Sequence, residues 1–232
     1  MDINKKTQAI IPAAGIGARL KSATNKPFVL LAGKPIVVYS LEILEACSFI
    51  DSVIVVVHEQ HINDFDKLAQ EYKLTKVKHV VVGGQTRCQS VTNGLNALDP
   101  DTRYVLIHDG ARPLISLELL TQSVSRCYEE SAVIVGVPVK PTIKRVHPEK
   151  LFVEATFDRR VMWEIQTPQV FRKDIIFNTH KKNKDLSASD DSLLVERAGY
   201  KVKLVKGDYS NIKITTPDDL IVAQAFLGKE ES

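Results

Sequence analysis

The sequence predicts an α/β fold built on a doubly wound, mostly parallel sheet, and two observations lead to this prediction. Short apolar runs rich in β-branched residues are typical of buried parallel strands. They lie at residues 9–11, 53–57, 79–82, 104–107 and 132–137. Segments with apolar residues at helical spacing separate these runs. They lie at residues 37–47, 65–72, 87–98 and 117–129. Strands that alternate with helices along a chain form parallel sheets through right-handed crossovers, so we expect one sheet with helices on both faces.

Residues 138–168 break this alternation and predict a projecting β-hairpin arm. Residues 142–146 and 152–157 alternate outward and inward side chains around a turn-forming sequence at 147–150. Because an isolated hairpin is only marginally stable in water, we expect the arm to pack on the same arm of a second subunit. The alternative is an arm that folds back on its own domain.

The last part of the chain is predicted to return to the sheet and to close with a helix. Residues 201–205 and 211–214 form the returning segments. Thr216 suits an N-cap, Pro217 suits the first helical position, and Asp219 follows three residues after the cap. We therefore expect a helix that begins at Pro217.

Size and composition narrow the class of protein. A chain of 232 residues fits a single domain, residues 1–232, with the arm as its appendage. The formal net charge of +3, without a block rich in lysine and arginine, argues against a nucleic-acid partner. No apolar run reaches the length of a membrane span, and the acid-containing N-terminus resembles neither a signal nor a transit peptide. Cys47, Cys88 and Cys127 lack metal-type spacing and predict reduced thiols. We therefore expect a cytoplasmic protein without a membrane partner.

A glycine-containing loop follows the first predicted strand, with the sequence Pro-Ala-Ala-Gly-Ile-Gly-Ala-Arg at residues 12–19. Gly15 and Gly17 let backbone N–H groups approach an anion closely, and Arg19 and Lys26 supply positive charge. These features predict a loop that wraps a polyphosphate, and a plain glycine turn is the alternative. The third glycine of a dinucleotide fingerprint and the Gly-Lys-Ser/Thr of a P-loop are both missing. The loop therefore favours a nucleoside triphosphate that is attacked over a redox cofactor that is stored.

Two further polar motifs follow predicted strands, where ligands of such sheets bind. Residues 83–90, Gly-Gly-Gln-Thr-Arg-Cys-Gln-Ser, suit a base and ribose lying across the backbone, with a simple strand–helix turn as the alternative. In residues 108–113, His-Asp-Gly-Ala-Arg-Pro, the carboxylate and arginine can hold a metal, a ribose or a phosphate. We expect His108 to be structural. Arg159 and Lys213 are candidates to grip a second anion.

Six segments in this order resemble the 2-C-methyl-D-erythritol 4-phosphate cytidylyltransferase family. They are Pro-Ala-Ala-Gly-Ile-Gly-Ala-Arg, Lys26-Pro27, Gly-Gly-Gln-Thr-Arg-Cys-Gln-Ser-Val, His-Asp-Gly-Ala-Arg-Pro, Gln-Thr-Pro-Gln-Val-Phe and Asn-Ile-Lys-Ile-Thr-Thr-Pro-Asp-Asp-Leu. The resemblance implies a Rossmann-like nucleotidyltransferase fold and a homodimer that exchanges its arms. It also implies a reaction in which the phosphate of methylerythritol phosphate attacks the α-phosphorus of CTP and pyrophosphate leaves.

The resemblance also implies roles for individual residues. Arg19 and Lys26 match the pair that stabilises the transition state, and Arg159 and Lys213 match the pair that positions the acceptor. The acceptor pocket is implied to include Asp109, Arg112, Thr142 and Thr167. The CTP site is implied to include Ala13, Ala14, Gly15, Gly17, Gly84, Arg87 and Ser90. Mg²⁺ or another divalent cation is expected to bridge the triphosphate oxygens, with Asp109 as a candidate protein ligand. Because Arg159 and Thr142 lie on the arm, we expect them to serve the neighbouring subunit's site.

The sequence departs from the family pattern at two places, and two alternative functions remain open. Lys26-Pro27-Phe28 keeps the lysine of the family motif in a different setting, and Gly110 replaces its alanine. One alternative is a ribitol 5-phosphate cytidylyltransferase of the same superfamily. The other is a non-catalytic nucleotide-binding regulator on the same fold, which would be expected to lack one of the cations that this chain retains.

Overall fold

The computed structural model describes residues 5–15, 26–183, 188 and 190–230, without the side chains of residues 26, 229 and 230. The strands of this part, in chain order, are β1 (Thr7–Pro12), β2 (Leu30–Leu31), β3 (Lys34–Pro35), β4 (Ser52–Val57), β5 (Val77–Val82), β6 (Tyr104–Ile107), β7 (Ala132–Pro138), β8 (Lys144–Val146), β9 (Val153–Thr156), β10 (Trp163–Arg172) and β11 (Lys203–Lys206). The α-helices are α1 (Ile36–Ala46), α2 (Ile62–Glu71), α3 (Arg87–Asn96), α4 (Leu117–Glu130), α5 (Lys173–Lys182), α6 (Asp191–Arg197) and α7 (Pro217–Glu230).

The predicted mostly parallel sheet is confirmed. Within the described residues, seven strands form one sheet in the order β11-β7-β10-β6-β1-β4-β5. Strand β10 runs antiparallel to both of its neighbours, β6 and β7, and the other pairings in the sheet are parallel. The carboxyl ends of β1, β4, β5 and β6 therefore lie at one edge of the sheet, where the polar motifs follow.

Helices cover both faces of the sheet, as a doubly wound fold requires. Successive residues of a strand point to opposite faces, so Ile10 and Ile11 of β1 belong to two different cores. Ile11 packs in the core that includes α1, α2 and α4, and Ile10 packs in the core that includes α3, α5 and α6. Both side chains are completely buried, which places the site-bearing edge on a rigid scaffold.

The arm forms the predicted hairpin, but it ends earlier than predicted. Strands β8 and β9 pair antiparallel. Residues 163–168, assigned from the sequence to the arm, lie in β10, a strand inside the main sheet. This strand was missed because Gln166, Thr167 and Gln169 are polar, yet all three are buried and hydrogen-bonded. Their polar atoms find partners from distant parts of the chain, which the local sequence does not show.

The returning segment at 211–214 is not a strand, and α7 begins at Pro217 as predicted. The backbone of this segment is instead fixed to the loop after β6. The N–H of Ile214 donates to the carbonyl of Ala111 at 2.8 Å, and Nη1 of Arg112 donates to the carbonyl of Asn211 at 2.7 Å. These bonds hold Lys213 beside the site-bearing edge. In the described ranges, none of the helices has the length and apolarity needed to cross a bilayer.

Candidate active site

A cleft of about 800 Å³ opens at the carboxyl ends of the parallel strands. The loops after β1, β5 and β6 line it, together with Lys213 and Thr215 from the segment before α7. Of the predicted site residues, the structure brings eight to this cleft: Ala13, Ala14, Gly15, Gly84, Arg87, Ser90, Asp109 and Lys213. The three strand-end motifs therefore share one cavity.

The loop before α3 is held by its own hydrogen bonds. The N–H of Gly84 donates to Oγ of Ser90 at 3.1 Å, and that hydroxyl donates to the carbonyl of Thr86 at 3.0 Å. Thr86 and Gln89 form a capping box, in which the N–H of Gln89 donates to Thr86 Oγ1 and the N–H of Thr86 donates to Gln89 Oε1. These bonds fix the loop and leave its glycine backbone facing the cleft.

The loops after β1 and β5 touch through their smallest residues. The N–H of Ala13 donates to the carbonyl of Val56 at 2.7 Å, and the N–H of Gly83 donates to the carbonyl of Val57 at 2.7 Å. A Cβ atom added at Gly83 would lie 2.4 Å from the Cβ of Ala14. Only glycine at position 83 permits this approach, so the cleft has a floor of backbone against which a flat ligand can lie.

Asp109 connects two cations at the inner wall of the cleft. Its Oδ1 accepts a hydrogen bond from Nε of Arg87 at 3.0 Å, and its Oδ2 pairs with Nζ of Lys213 at 2.7 Å. Burial alone would raise the pKa of Asp109, but the charges of Arg87 and Lys213 hold it well below its usual range. Asp109 is therefore ionised at neutral pH and fixes the lysine ammonium at the cleft.

Arg87 has a second buried partner that sequence reasoning missed. Its Nη1 donates to Oδ2 of Asp191, the first residue of α6, at 2.7 Å. Burial alone would lower the pKa of Arg87, but Asp109 and Asp191 raise it above its usual value. The sequence offers an acidic pair, Asp190 and Asp191, at a helix start, but such pairs are common first-turn residues and do not indicate a distant cation.

His108 is a buried residue that connects two parts of the site by hydrogen bonds, as expected for a structural histidine. It is completely buried; its Nε2 lies 3.1 Å from the carbonyl of Arg112 and its Nδ1 lies 3.1 Å from Oγ1 of Thr167. A carbonyl only accepts, so Nε2 carries the proton, and the hydroxyl of Thr167 donates to Nδ1. The same hydroxyl accepts from the N–H of Asp109 at 3.0 Å. Burial lowers the pKa of His108 to about 4, so the imidazole is neutral at pH 7.

A second cavity of about 410 Å³ adjoins the cleft and shares Arg87, Asp109 and Lys213 with it. Arg112 and Thr167 line this cavity. Burial lowers the pKa of Arg112, whose guanidinium donates to the carbonyls of Asn211 and Ile165. Its buried Nε has no hydrogen-bond partner among the described residues. The cavity therefore presents a buried cation without a directly bonded carboxylate, and the carboxylates of Asp109, Asp190 and Glu196 also line it.

The remaining predicted residues are not brought to the cleft in this chain. Arg159 and Thr142 are exposed on the arm, and Nη1 of Arg159 donates to the carbonyl of Lys140 at 2.8 Å. Gly17 and Arg19 lie outside the described residues. The backbone of Lys26 begins a short 3₁₀ helix, residues 26–28, but its side chain is not described.

The described residues do not form a metal cage. They contain no group of three or more histidine, cysteine, aspartate or glutamate side chains that could hold a metal ion. Both oxygens of Asp109, the candidate ligand, are already bonded to cations.

Comparisons with known proteins agree with this geometry. The family model for 2-C-methyl-D-erythritol 4-phosphate cytidylyltransferase (IspD) matches residues 7–229. The chain is 44% identical to 2-C-methyl-D-erythritol 4-phosphate cytidylyltransferase from Alkaliphilus metalliredigens, covering 100% of this chain and 97% of the relative. It is also 44% identical to the protein of that name from Caldanaerobacter subterraneus subsp. tengcongensis, covering 95% of this chain and 98% of the relative.

Solved structures lead to the same family. The crystal structure of 4-diphosphocytidyl-2C-methyl-D-erythritol synthase from Anaerococcus prevotii superposes with a TM-score of 0.85 at 34% identity, covering 97% of each chain. The structure of 2-C-methyl-D-erythritol 4-phosphate cytidylyltransferase from Thermus thermophilus gives a TM-score of 0.77 at 28% identity, covering 94% of this chain and 98% of that one. By its motifs, its sheet and these matches, the chain belongs to the 2-C-methyl-D-erythritol 4-phosphate cytidylyltransferase family.

Proposed function

We propose that this protein transfers the cytidylyl group of CTP to 2-C-methyl-D-erythritol 4-phosphate, giving 4-diphosphocytidyl-2-C-methyl-D-erythritol and pyrophosphate. The observation that carries the proposal is the position of the Asp109 and Lys213 ion pair, 2.7 Å apart, beside the glycine loops in one cleft. Family membership supports the choice of both substrates.

The reaction needs no covalent nucleophile from the protein. A phosphate oxygen of the acceptor forms a bond to the α-phosphorus of CTP, while the bond from that phosphorus to the bridging oxygen of the pyrophosphate breaks. Catalysis then consists of positioning two anions and stabilising the charge that develops between them. The thiols do not offer a competing route: burial raises the pKa of Cys127 to about 12, and Cys47 and Cys88 are also buried.

The proposed roles combine the described cleft with the roles that family membership implies. The backbones at Ala13, Ala14 and Gly84 hold the cytidine, and the loop at residues 15–19 wraps the triphosphate. Arg19 and Lys26 stabilise the transition state. The acceptor phosphate binds to Lys213 and to Arg159 of a second subunit, in a pocket completed by Asp109, Arg112, Thr142 and Thr167. Support for an anionic acceptor comes from Lys213 at the cleft and from Arg112, whose buried Nε has no hydrogen-bond partner among the described residues.

We also propose a divalent cation, Mg²⁺ in the simplest case, held chiefly by CTP phosphate oxygens. When bound, it would screen the negative charge of the triphosphate from the incoming phosphate. The ion pairs on Asp109 and the lack of a carboxylate cluster in the described ranges support ligands from the nucleotide. A test is the affinity for CTP with and without Mg²⁺: Asp109→Asn should leave the Mg²⁺-dependent part of that affinity unchanged.

A homodimer through the arm completes the proposal. The arm exposes six large apolar side chains in the described structure: Val146, Leu151, Phe152, Val153, Phe157 and Val161. Leu151, Phe152 and Val161 are 75%, 72% and 73% exposed, and a second arm would bury such surface.

The reduced state of three buried cysteines supports a cytoplasmic location.

One assay tests the function. Pyrophosphate release is measured with CTP and either methylerythritol phosphate or ribitol 5-phosphate, and the methylerythritol substrate should give the higher kcat/KM. Lys213→Ala should raise the KM for the acceptor while calorimetric titration shows little change in CTP affinity, and Lys206→Ala, at an exposed position of β11, serves as the matched control. A preference for ribitol 5-phosphate would identify the other transferase class, and absence of turnover with both acceptors would favour a binding protein.

A further inference from the structure

A line of paired charged groups runs from the cleft into the protein behind it. Lys213 pairs with Asp109 at 2.7 Å, and Asp109 accepts from Arg87 at 3.0 Å. Arg87 donates to Asp191 at 2.7 Å, and Asp191 lies 3.1 Å from Nε2 of His180. The four side chains from Lys213 to Asp191 therefore alternate in charge from the cleft to the interior, and the line ends at His180, between α5 and α6.

Asp191 lies too deep to bind substrate itself. It is 1% exposed, and it lines neither the cleft nor the adjoining cavity as the described residues define them. His180 is equally buried, and its Nδ1 lies 3.0 Å from Oγ1 of Thr92 in α3. Burial alone would raise the pKa of Asp191, but Arg87 and His180 lower it, so this interior carboxylate is charged. A buried charge with two well-placed partners fixes the position of both of them.

We propose that Asp191 is a positioning residue for the acceptor phosphate, acting through Arg87 and Asp109 on Lys213. The inference rests on the proposed function, since it assigns Lys213 to the acceptor. Asp191 fixes the orientation of the Arg87 guanidinium through Nη1, and in this orientation Asp109 receives a single hydrogen bond, from Nε to Oδ1. The second oxygen of Asp109 is thereby left to Lys213.

Loss of the Asp191 charge changes which cations bind the two oxygens of Asp109. Arginine prefers to bind a carboxylate side-on through two parallel hydrogen bonds. Released from Asp191, Arg87 can take both oxygens of Asp109 and displace the ammonium of Lys213. The acceptor phosphate would then meet a lysine that is no longer fixed at the cleft.

The nucleotide loop should not change when Asp191 is altered. Arg87 is the first residue of α3, but the loop before it is held by the capping box of Thr86 and Gln89 and by the Gly84 to Ser90 hydrogen bond. None of these bonds involves Asp191. In this proposal Arg87 serves its bonded partners Asp109 and Asp191 rather than CTP, so the perturbation is expected in the use of the acceptor and not in the binding of CTP.

The experiment compares Asp191→Asn with the wild-type enzyme and with Val195→Ala. Val195 lies on the same helix, is completely buried and packs in the core, so its variant lowers the thermal midpoint without touching the line of charges. Asp191→Asn should lower kcat/KM for methylerythritol phosphate about tenfold, ~1.4 kcal/mol. The Kd for CTP, measured by calorimetry without acceptor, should stay within about twofold of wild type.

A double-mutant cycle separates positioning from general damage. In a Lys213→Ala background, Asp191→Asn should have little further effect on kcat/KM for the acceptor, because the residue through which it acts is gone. Additive losses, or a parallel fall in CTP affinity, would overturn the proposal. So would acceptor kinetics for Asp191→Asn that equal those of Val195→Ala at a similar thermal midpoint.

His180→Gln provides a second variant that retains both charges of the Arg87 and Asp191 pair. This variant should lower kcat/KM for the acceptor about threefold and retain the affinity for CTP. An unchanged kcat/KM would contradict the proposal, even if Asp191→Asn fails to fold. A wild-type enzyme that turns over methylerythritol phosphate while the variants show no acceptor defect refutes the positioning role alone. A wild-type enzyme inactive with this acceptor refutes the proposed function and this inference with it.

Discussion

The buried imidazole of His108 should make the protein lose stability as the pH falls from 8 to 5. Burial lowers the pKa of this group from 6.5 to about 4, and it makes neutral hydrogen bonds to Thr167 and Arg112. Between these two pKa values the unfolded chain binds a proton at this site that the folded protein does not, so the free energy of unfolding decreases with decreasing pH. At pH 5 the loss from this residue amounts to about 2 kcal/mol relative to pH 8.

Other groups near His108 should not hide this effect. The charge of Asp109 raises the pKa of His108 and the charge of Arg112 lowers it, and the pKa of about 4 is the net result of burial and both charges. The pKa of Asp109 itself is well below its usual range, so its own loss of stability falls at a lower pH than this window. About 2 kcal/mol is a large part of a typical folding free energy and is readily measured.

The assay is reversible urea unfolding of the wild type, His108→Asn and His79→Asn at pH 8, 7, 6 and 5. His79→Asn replaces a histidine whose side chain is 46% exposed and serves as the matched control. His108→Asn should be less stable at pH 8 but should lose about 2 kcal/mol less than the wild type on going to pH 5. Parallel curves for wild type and His108→Asn would show that the buried imidazole does not titrate as the structure requires.

Two further predictions concern the nucleotide side of the cleft. Gly83→Ala places a methyl group 2.4 Å from the Cβ of Ala14. Because overpacking typically costs about 1–3 kcal/mol, this variant should bind CTP about tenfold more weakly in a calorimetric titration. The control is Gly228→Ala, where an added Cβ meets nothing within 4 Å, and it should bind CTP normally. Arg19→Ala and Lys26→Ala should each lower kcat by about 10²–10³-fold with a much smaller change in the KM for the acceptor, because both are assigned to charge that develops in the transition state. A near-normal kcat with weakened CTP binding would remove that residue from the catalytic role.

The sheet could be predicted because most of its strands are buried on both faces. Residues 53–57 and 132–137 are continuous apolar runs, and the structure places them in β4 and β7 with bounds that differ by one residue. The closing helix could be predicted because its start signals are local: Oδ2 of Asp219 accepts from the N–H of Thr216 at 2.8 Å. Where a local pattern determines burial or capping, sequence reasoning was sufficient.

The missed features depend on partners that are far apart in the chain. Residues 211–214 alternate apolar and polar side chains like a strand, but their backbone bonds to Ala111 and Arg112 instead. Asp191 looks like an ordinary first-turn acid, and only the fold reveals that Arg87, 104 positions away, is its partner. Sequence reasoning found residues that line the cleft and missed the carboxylate that holds one of them in place.

The last prediction concerns the proposed contribution of the arm to the site of a second subunit. Arg159 is exposed and hydrogen-bonded to the carbonyl of Lys140 within its own arm, while Lys213 stands at the cleft. If both grip one acceptor phosphate and the arms are exchanged in a dimer, the arginine at each cleft comes from another subunit. Two inactive variants should then complement each other, because both defects fall in one site of a mixed dimer and the other site is left intact.

The proteins for this test are Arg159→Ala and Lys26→Ala, mixed in equal amounts after subunit exchange. With random association about half of the dimers are mixed, because a symmetric interface does not discriminate between the variants. In each mixed dimer one site collects both defects and the other has wild-type Lys26 and wild-type Arg159, so activity should recover to about a quarter of the wild-type value. Mass spectrometry of the intact dimers verifies the exchange. Mixed dimers without recovered activity would place Arg159 in the site of its own subunit, and the arm would then act in assembly alone.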